Sequence, residues 1–210
     1  AAIFGDVRAK AVLALCAAPG GKTLQRAEIG AAVPAVAISG SRLGRLRANL
    51  ARESVDTSAI SRDETQGSGM SVAIVEAQGE YGAVIVSGAN LSLSAAAAMD
   101  QGQALGRGRV LALQHEIPHA TKLAMARQAR ERGAQVVFNA APSRAQARDL
   151  MDLVDVLVVN RVEAADLSGL PVHDRASAEQ AATVLAQQAR AVIVTLGGDG
   201  LVMVERGATP

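Results

Sequence analysis

The chain holds one cysteine, Cys16, no tryptophan, and three aromatic residues in all, Phe4, Tyr81 and Phe138, among 210 residues. A single cysteine excludes an intrachain disulfide framework and any multi-cysteine metal site, and fits a reducing compartment. So few aromatics argue against nucleic-acid recognition by stacking of bases, so a nucleic-acid partner is not expected. His115, His119 and His173 are too few and too scattered to predict a metal cluster. No apolar run reaches the roughly 18 residues of a membrane span, so no membrane partner is expected. The N-terminus lacks the basic, apolar, small-residue order of a signal peptide, and a soluble, cytoplasmic protein is expected. Charge of one sign is also lacking, since the formal net charge is +1.

What is present is an ordinary globular balance, 50% hydrophobic and 20% charged, which excludes a disordered chain. The length suits one domain or a little more. The small net charge is unevenly spread. Residues 1–52 carry eight Lys/Arg against two Asp/Glu, and the remainder carries thirteen against eighteen. Such a change of sign fits either two origins within the chain or a solvated basic helix on an ordinary surface.

Strand and helix patterns alternate. AVLALC (11–16) and PAVAIS (34–39) are short apolar runs flanking TLQRAEIG, a short helix, and SRLGRLRANLARE (41–53) spaces Leu43, Leu46 and Leu50 as a helix does. SVAIVEAQGEYGAVIVSG (71–88) reads as two strands joined at Gln78-Gly79-Glu80, a β-hairpin. Beyond Asn90 the alternation is regular. A helix at 92–105, capped by Ser92 or Ser94, precedes a strand at 109–114. A helix at 119–133 closed by Gly133, a strand at 134–140, a helix at 143–153 and a strand at 154–160 follow. A helix at 177–190 and strands at 191–197 and 201–205 complete the pattern. Apolar strands separated by helices predict an α/β fold, a mostly parallel sheet with helices on both faces.

In such a sheet, ligands bind beyond the carboxyl ends of the strands. The residues there are Ala17–Thr23, Glu116, Asn139, Asn160 with Glu163, and Thr195–Gly200, and they are small, polar or glycine. That set suits a phosphorylated or hydroxyl-rich ligand. Each member also has a plain structural reading. TLGGDG (195–200) either opens backbone N–H groups to a phosphate or is a strand-to-strand turn. Asn160 and Glu163 either order Mg²⁺ water near a triphosphate or form a helix capping box. Glu116 either accepts from sugar hydroxyls or is a surface acid. The AAPGGKT loop lacks the G-x-x-x-x-G-K-[ST] spacing of a P-loop. Cys16 lies inside a strand pattern, as a core residue rather than a nucleophile.

From about residue 54 to 210 the chain resembles the ribokinase (PfkB) family of sugar kinases. The matching segments are VDTSAI (55–60), GMSVAIVEAQGE with VSGAN (69–90), LQHEIP (113–118), VVFNAAPSR (136–144), LVDVLVVNRVEAADLSG (153–169) and VIVTLGGDG (192–200), in the family's order and spacing. The resemblance implies a ribokinase-like fold in which the 71–88 hairpin belongs to a lid over the sugar. It implies transfer of the ATP γ-phosphoryl group to a sugar hydroxyl with Mg²⁺. By resemblance Glu116 contacts the sugar. Asn160 contacts the nucleotide phosphates, Glu163 organises Mg²⁺, and Thr195, Gly197 and Gly200 line the ATP pocket. The expected partners are a sugar, ATP and a second copy of the chain, paired through the lid.

Residues 10–52 carry a second resemblance. AVLALCAAPGGKTLQ with AVAISGSRLGRLRANLAR is similar to the S-adenosylmethionine-binding start of RNA 5-methylcytosine methyltransferases. Ala14 and Ala37 stand where that pattern has aspartates, and its Pro-Cys nucleophile segment is absent, which argues against methyl transfer. In the other reading GGKTLQ is a diverged form of the kinase family's sugar-binding G-G-K-G-A-N, so that Gly20, Gly21 and Lys22 touch the sugar. Both readings of this stretch stand, and the chain divides accordingly into 1–53 and a kinase-like 54–210. The kinase family's catalytic Asp, in a G-A-G-D segment some tens of residues after the TLG turn, has no counterpart before Pro210, and the N-terminal sugar-binding Asp segment is missing too. A truncated kinase with weak turnover or none is therefore expected. Its alternatives are an S-adenosylmethionine-dependent RNA methyltransferase fragment or RNA binder, and a non-catalytic degenerate fold.

Overall fold

The computed structural model describes residues 12–15, 35–36, 48, 50–52, 57–58, 60–75, 81–104 and 109–207. Seven strands form one sheet. They are β1 (Val12–Leu15), β2 (Ala35–Val36), β5 (Val110–Gln114), β6 (Gln135–Asn139), β7 (Val156–Asn160), β8 (Ala191–Thr195) and β9 (Leu201–Glu205), in the order β2-β1-β5-β6-β7-β8-β9. All neighbours are parallel except β8 and β9. The remaining two strands, β3 (Met70–Val75) and β4 (Tyr81–Val86), pair only with each other as an antiparallel hairpin with Met70 opposite Val86.

Register decides which side chains share a face. Leu111 lies beside Val136, Phe138 beside Leu157 and Val159 beside Val194, so the alternate residues of β5–β8 line up across the sheet. These residues and Leu113 and Val192 are all buried, and belong to one continuous core. The opposite face is buried at Val110, Ala112, Val137 and Ile193. Burial on both faces is what near-continuous apolar strands require. β7 departs from this, with Leu157 and Val159 buried and Val156 and Val158 only half-buried.

Four α-helices are described over their full length, besides helical residues at 48 and 50–52. α1 (Ala95–Gln101) starts at Ser94, whose hydroxyl accepts the Ala97 N–H at 3.2 Å, so Ser94 rather than Ser92 is the cap. α2 (His119–Glu131) buries Met125, Ala126 and Ala129 and is followed by Gly133 at φ +71°. Thr121 of α2 donates to the Leu93 carbonyl at 2.7 Å and so ties the helix to the segment after the hairpin. α3 (Arg161–Ser168) ends at Gly169, whose φ of +76° is the left-handed stop glycine supplies. α4 (Arg175–Leu185) is capped by Asp174, which accepts the Ser177 N–H at 2.8 Å, and buries Ala178, Ala181, Ala182 and Leu185.

The segment expected as an α-helix at 143–153 is instead a 3₁₀-helix, Ala145–Leu153. Three residues per turn place Ala147, Leu150 and Leu153 in one row. The first two are buried and Leu153 packs on the core, so the tighter helix matches the three-residue spacing of these apolar side chains. The predicted helix at 23–30, most of the helix at 41–53, and Cys16 lie outside the described residues.

Candidate functional site

The parallel register puts the carboxyl ends of the central strands on one edge. Gln114 is level with Asn139, and Asn160 with Thr195. Glu116, two residues beyond β5, the Asn160–Glu163 junction beyond β7 and the 195–200 turn beyond β8 therefore share one rim of the sheet. Glu116 and Thr195 follow strands three places apart, so they mark two regions about 14 Å apart at about 4.8 Å per strand. Strand order adds a feature that sequence alone did not reveal. The chain winds outward in opposite directions from the β1–β5 pair, which makes that pair the switch point where open α/β sheets hold ligands. Glu116 follows β5 at this point, and it is half-buried. Gly20, Gly21 and Lys22, in the stretch after β1, lie outside the described residues.

At β7–α3 the N-x-x-E spacing folds as a reciprocal capping box. The Asn160 side-chain oxygen accepts the Glu163 N–H at 2.9 Å, and Glu163 Oε2 accepts the Asn160 N–H at 2.9 Å. The structural reading of this pair is thus realised, and the ligand-binding reading has to coexist with it. Glu163 is only 4% exposed. Burial raises its carboxyl pKa, against a lowering by the Asn160 N–H, and nearby Asp166 adds to the rise. The Asn160 NH₂ makes no hydrogen bond among the described residues and remains available as a donor.

The β8–β9 turn is built from glycines. Gly197 (φ +64°) and Gly200 (φ +84°, ψ −131°) adopt conformations that side chains resist. The turn closes through Leu196 N–H to the Gly200 carbonyl at 2.8 Å and Gly200 N–H to the Gly197 carbonyl at 3.2 Å. Gly198 differs from its neighbours. Its φ is not positive, and a Cβ placed on it would meet nothing within 4 Å. The chain's own packing gives no reason for glycine there, whereas close approach of a ligand to the backbone would. Thr195 is exposed, and its hydroxyl donates to the Val159 carbonyl at 3.3 Å.

Two groupings emerge that the sequence did not reveal. Arg161, the first residue of α3, donates from Nη2 to Asp199 Oδ2 at 2.5 Å and to the Leu196 carbonyl at 3.2 Å, and from Nη1 to the His173 carbonyl at 2.5 Å. It joins the two rim segments expected to meet a nucleotide. Beside Glu116, His115 Nδ1 lies 2.8 Å from Lys122 Nζ, with both residues at most 2% exposed. Burial, then Lys122, Arg144 and His119, lower the His115 pKa to about 4. Burial, then Arg144, lowers that of Lys122 to about 8. A neutral imidazole accepting from an ammonium leaves His115 Nε2 as a buried N–H with no partner among the described residues. Phe138 packs edge-on against the His115 ring, with centroids 4.9 Å apart.

Among the described residues no three His, Cys, Asp or Glu side chains are grouped to hold a metal ion. No helix among them is long and apolar enough to cross a membrane.

Comparison with known proteins bears on the fold and the family. Haemophilus influenzae ribokinase is 31% identical over 184 residues, 86% of this chain and 60% of the relative. Mouse ribokinase is 30% identical over 75% of this chain and 50% of the relative. The chain thus spans about half to three fifths of these relatives. Among solved structures, Cryptococcus neoformans ribokinase in complex with ADP superposes with a TM-score of 0.77 at 20% identity, covering 95% of this chain and 77% of that one. Arabidopsis thaliana ribokinase complexed with ribose and ATP gives 0.71 at 21% identity, covering 89% and 62%. These likenesses show the fold. Of the methyltransferase-like stretch 10–52, only β1, β2 and residues 48 and 50–52 are described. The pfkB family carbohydrate kinase pattern matches residues 23–209, across residue 53 and nearly the whole described sheet, so this chain belongs to the pfkB family of carbohydrate kinases.

Proposed function

We propose that this chain binds ATP and a sugar along the carboxyl rim of its sheet, as an ATP-dependent sugar kinase of the ribokinase kind does. The single observation that carries the reading is the shared rim: register brings Glu116, Asn160, Glu163 and the 195–200 turn to one edge. The sugar sits at the β1–β5 switch point, where the Glu116 carboxylate accepts from its hydroxyls; Gly20, Gly21 and Lys22 are proposed as further sugar contacts from the sequence alone. The triphosphate lies across β7 and β8. There the Asn160 NH₂ and the backbone N–H groups of Gly197 and Gly198 donate to it, beside Thr195.

Mg²⁺ fits this arrangement in one form. Among the described residues no three carboxylate, His or Cys side chains are grouped to cage a cation, so Mg²⁺ would be held mainly by nucleotide oxygens and water, as Mg²⁺ bound with phosphates commonly is. Glu163, one of whose oxygens is committed to the cap, orders one of those waters. Mg²⁺ supplies charge neutralisation at the phosphates, and the chain's own residues bind and orient. The exposed Met70, Ile85 and Val86 of the β3–β4 hairpin support its role as a lid that pairs with a second copy.

The family's G-A-G-D base segment has no counterpart in the 210 residues, so the test is of binding. Calorimetric titration of the whole chain with ADP or ATP and Mg²⁺, and separately with ribose, is expected to give saturable one-site binding of each. No heat with any nucleotide overturns the reading.

A further inference from the structure

We infer that Arg161 positions the bound nucleotide indirectly, by clamping the 196–200 turn to the start of α3 and cancelling the charge of Asp199. The inference rests on the nucleotide site proposed above. Arg161 follows Asn160, and its guanidinium spans three segments that the sequence keeps far apart: the α3 start, His173 in the α3–α4 connection, and Leu196 with Asp199 in the glycine turn. Apart from its own backbone hydrogen bonds and the β8–β9 pairing, among the described residues no side chain other than Arg161 hydrogen-bonds to the 196–200 turn. Its glycines carry no side chains, and Gly197, Gly198 and Gly200 have open space where a Cβ would stand. Backbone of this kind samples many conformations, and the ordering needed before it can cradle a phosphate would otherwise be charged against binding. Three charge-assisted hydrogen bonds from one rigid fork remove that freedom in advance.

The second part is electrostatic. Asp199 is the only acidic residue of the 195–200 turn, and it is 76% exposed at the side chain. An unpaired carboxylate there repels a polyanionic nucleotide. With Arg161 on it, the turn presents no net charge from the pair. The pair spans exposed surface, so it adds little to global stability. Variants therefore fold, and the effect appears in the ligand.

The test measures ADP affinity by calorimetry for the full-length wild type, Arg161→Lys, Arg161→Met and Arg161→Met/Asp199→Asn, with ribose affinity and the thermal melt followed in parallel. Arg161→Met is expected to weaken ADP binding about tenfold, equivalent to about 1.4 kcal/mol. Ribose affinity and the cooperative melt should be retained. Arg161→Lys keeps the charge without the fork and should fall between wild type and Arg161→Met. Adding Asp199→Asn to Arg161→Met should recover about half of the loss on a logarithmic scale, which a merely structural role would not produce. The inference is overturned if Arg161→Met binds ADP like the wild type, or if the second substitution recovers nothing. In both cases the nucleotide site itself survives, because the wild type binds. If the wild type binds no ADP, the nucleotide site falls and the clamp with it.

Discussion

The two ends of the rim are built on opposite principles. At β7–α3–β8 every charged group has a partner: Glu163 closes the cap on Asn160, and Arg161 holds Asp199. These groups surround exposed, glycine-rich backbone. At β5–α2 a lysine is buried against a neutral histidine whose other nitrogen has no partner among the described residues, and Arg144 and His119 push its pKa in the same direction. The first end is preorganised by these paired groups. The second stores an electrostatic penalty in the core directly behind Glu116. The contrast shows that one rim can be stiffened by satisfying its polar groups, or made responsive by leaving one unsatisfied.

The largest effect that sharpens this contrast is the pH dependence of stability. The folded pKa of His115, about 4, lies below the ordinary 6.5, so between these values the unfolded chain takes up a proton that the folded chain refuses. Stability therefore falls as pH drops from 6.5 towards 4, by about 3 kcal/mol in the limit. Lys122, at about 8 instead of 10.5, gives the mirror case, with a penalty complete below pH 8 that is relieved as pH rises to 10.5. Urea midpoints across pH 4 to 10 should show both slopes in the wild type, and neither in His115→Leu/Lys122→Met. That double variant replaces both polar groups by apolar ones and should be at least as stable at pH 7. Superimposable profiles would show that the buried pair carries no penalty.

Next in size is the cap. Glu163→Ala removes its reciprocal half, leaving the Asn160 N–H without its acceptor, and should cost about 1–2 kcal/mol in the same measurement. Glu163→Gln keeps an acceptor at the same place and loses only a charge that burial already disfavours, so stability should hold or rise. If Glu163 also orders Mg²⁺ water, Glu163→Gln weakens the Mg²⁺ dependence of nucleotide binding while leaving the fold intact. An unchanged Mg²⁺ dependence would reduce the residue to its cap.

The glycines separate conformation from access. Gly197→Ala places a side chain at φ +64° and should cost about 1 kcal/mol of stability. Gly198→Ala meets no neighbour and should leave stability unchanged, yet lower nucleotide affinity. Smallest is Arg175→Ala, which breaks an exposed pair with Glu179 one helical turn away and should cost no more than about 0.5 kcal/mol. A larger loss there would mean that exposed pairs count for more in this chain than the comparison of the two ends assumes.

Much of this was legible in the sequence because it is local. The hairpin follows from two alternating apolar runs around Gln78-Gly79-Glu80, the α3 cap from N-x-x-E after a strand, and the parallel sheet from apolar strands at helix-length intervals. The 3₁₀-helix was not legible. Apolar residues at 147, 150, 151 and 153 satisfy spacings of both three and four, and only packing decides between them. The Arg161–Asp199 pair spans 38 residues and exists because β7 and β8 are neighbours with Asn160 level with Thr195. His115 and Lys122 are seven residues apart across a strand-to-helix turn, and a search for metal ligands passes over a histidine whose partner is a lysine. The switch point at β1–β5 needed the strand order, which no run of residues encodes.

The central claim is that one rim holds two ligands at two separate places. Amide hydrogen exchange of the whole chain, alone and with saturating ADP·Mg²⁺ or ribose, tests it most directly. ADP should slow exchange at 160–163 and 196–200 and leave 114–118 unaffected, and ribose should do the reverse. Protection by both ligands at the same segment, or by ADP only at segments away from this rim, would contradict the account.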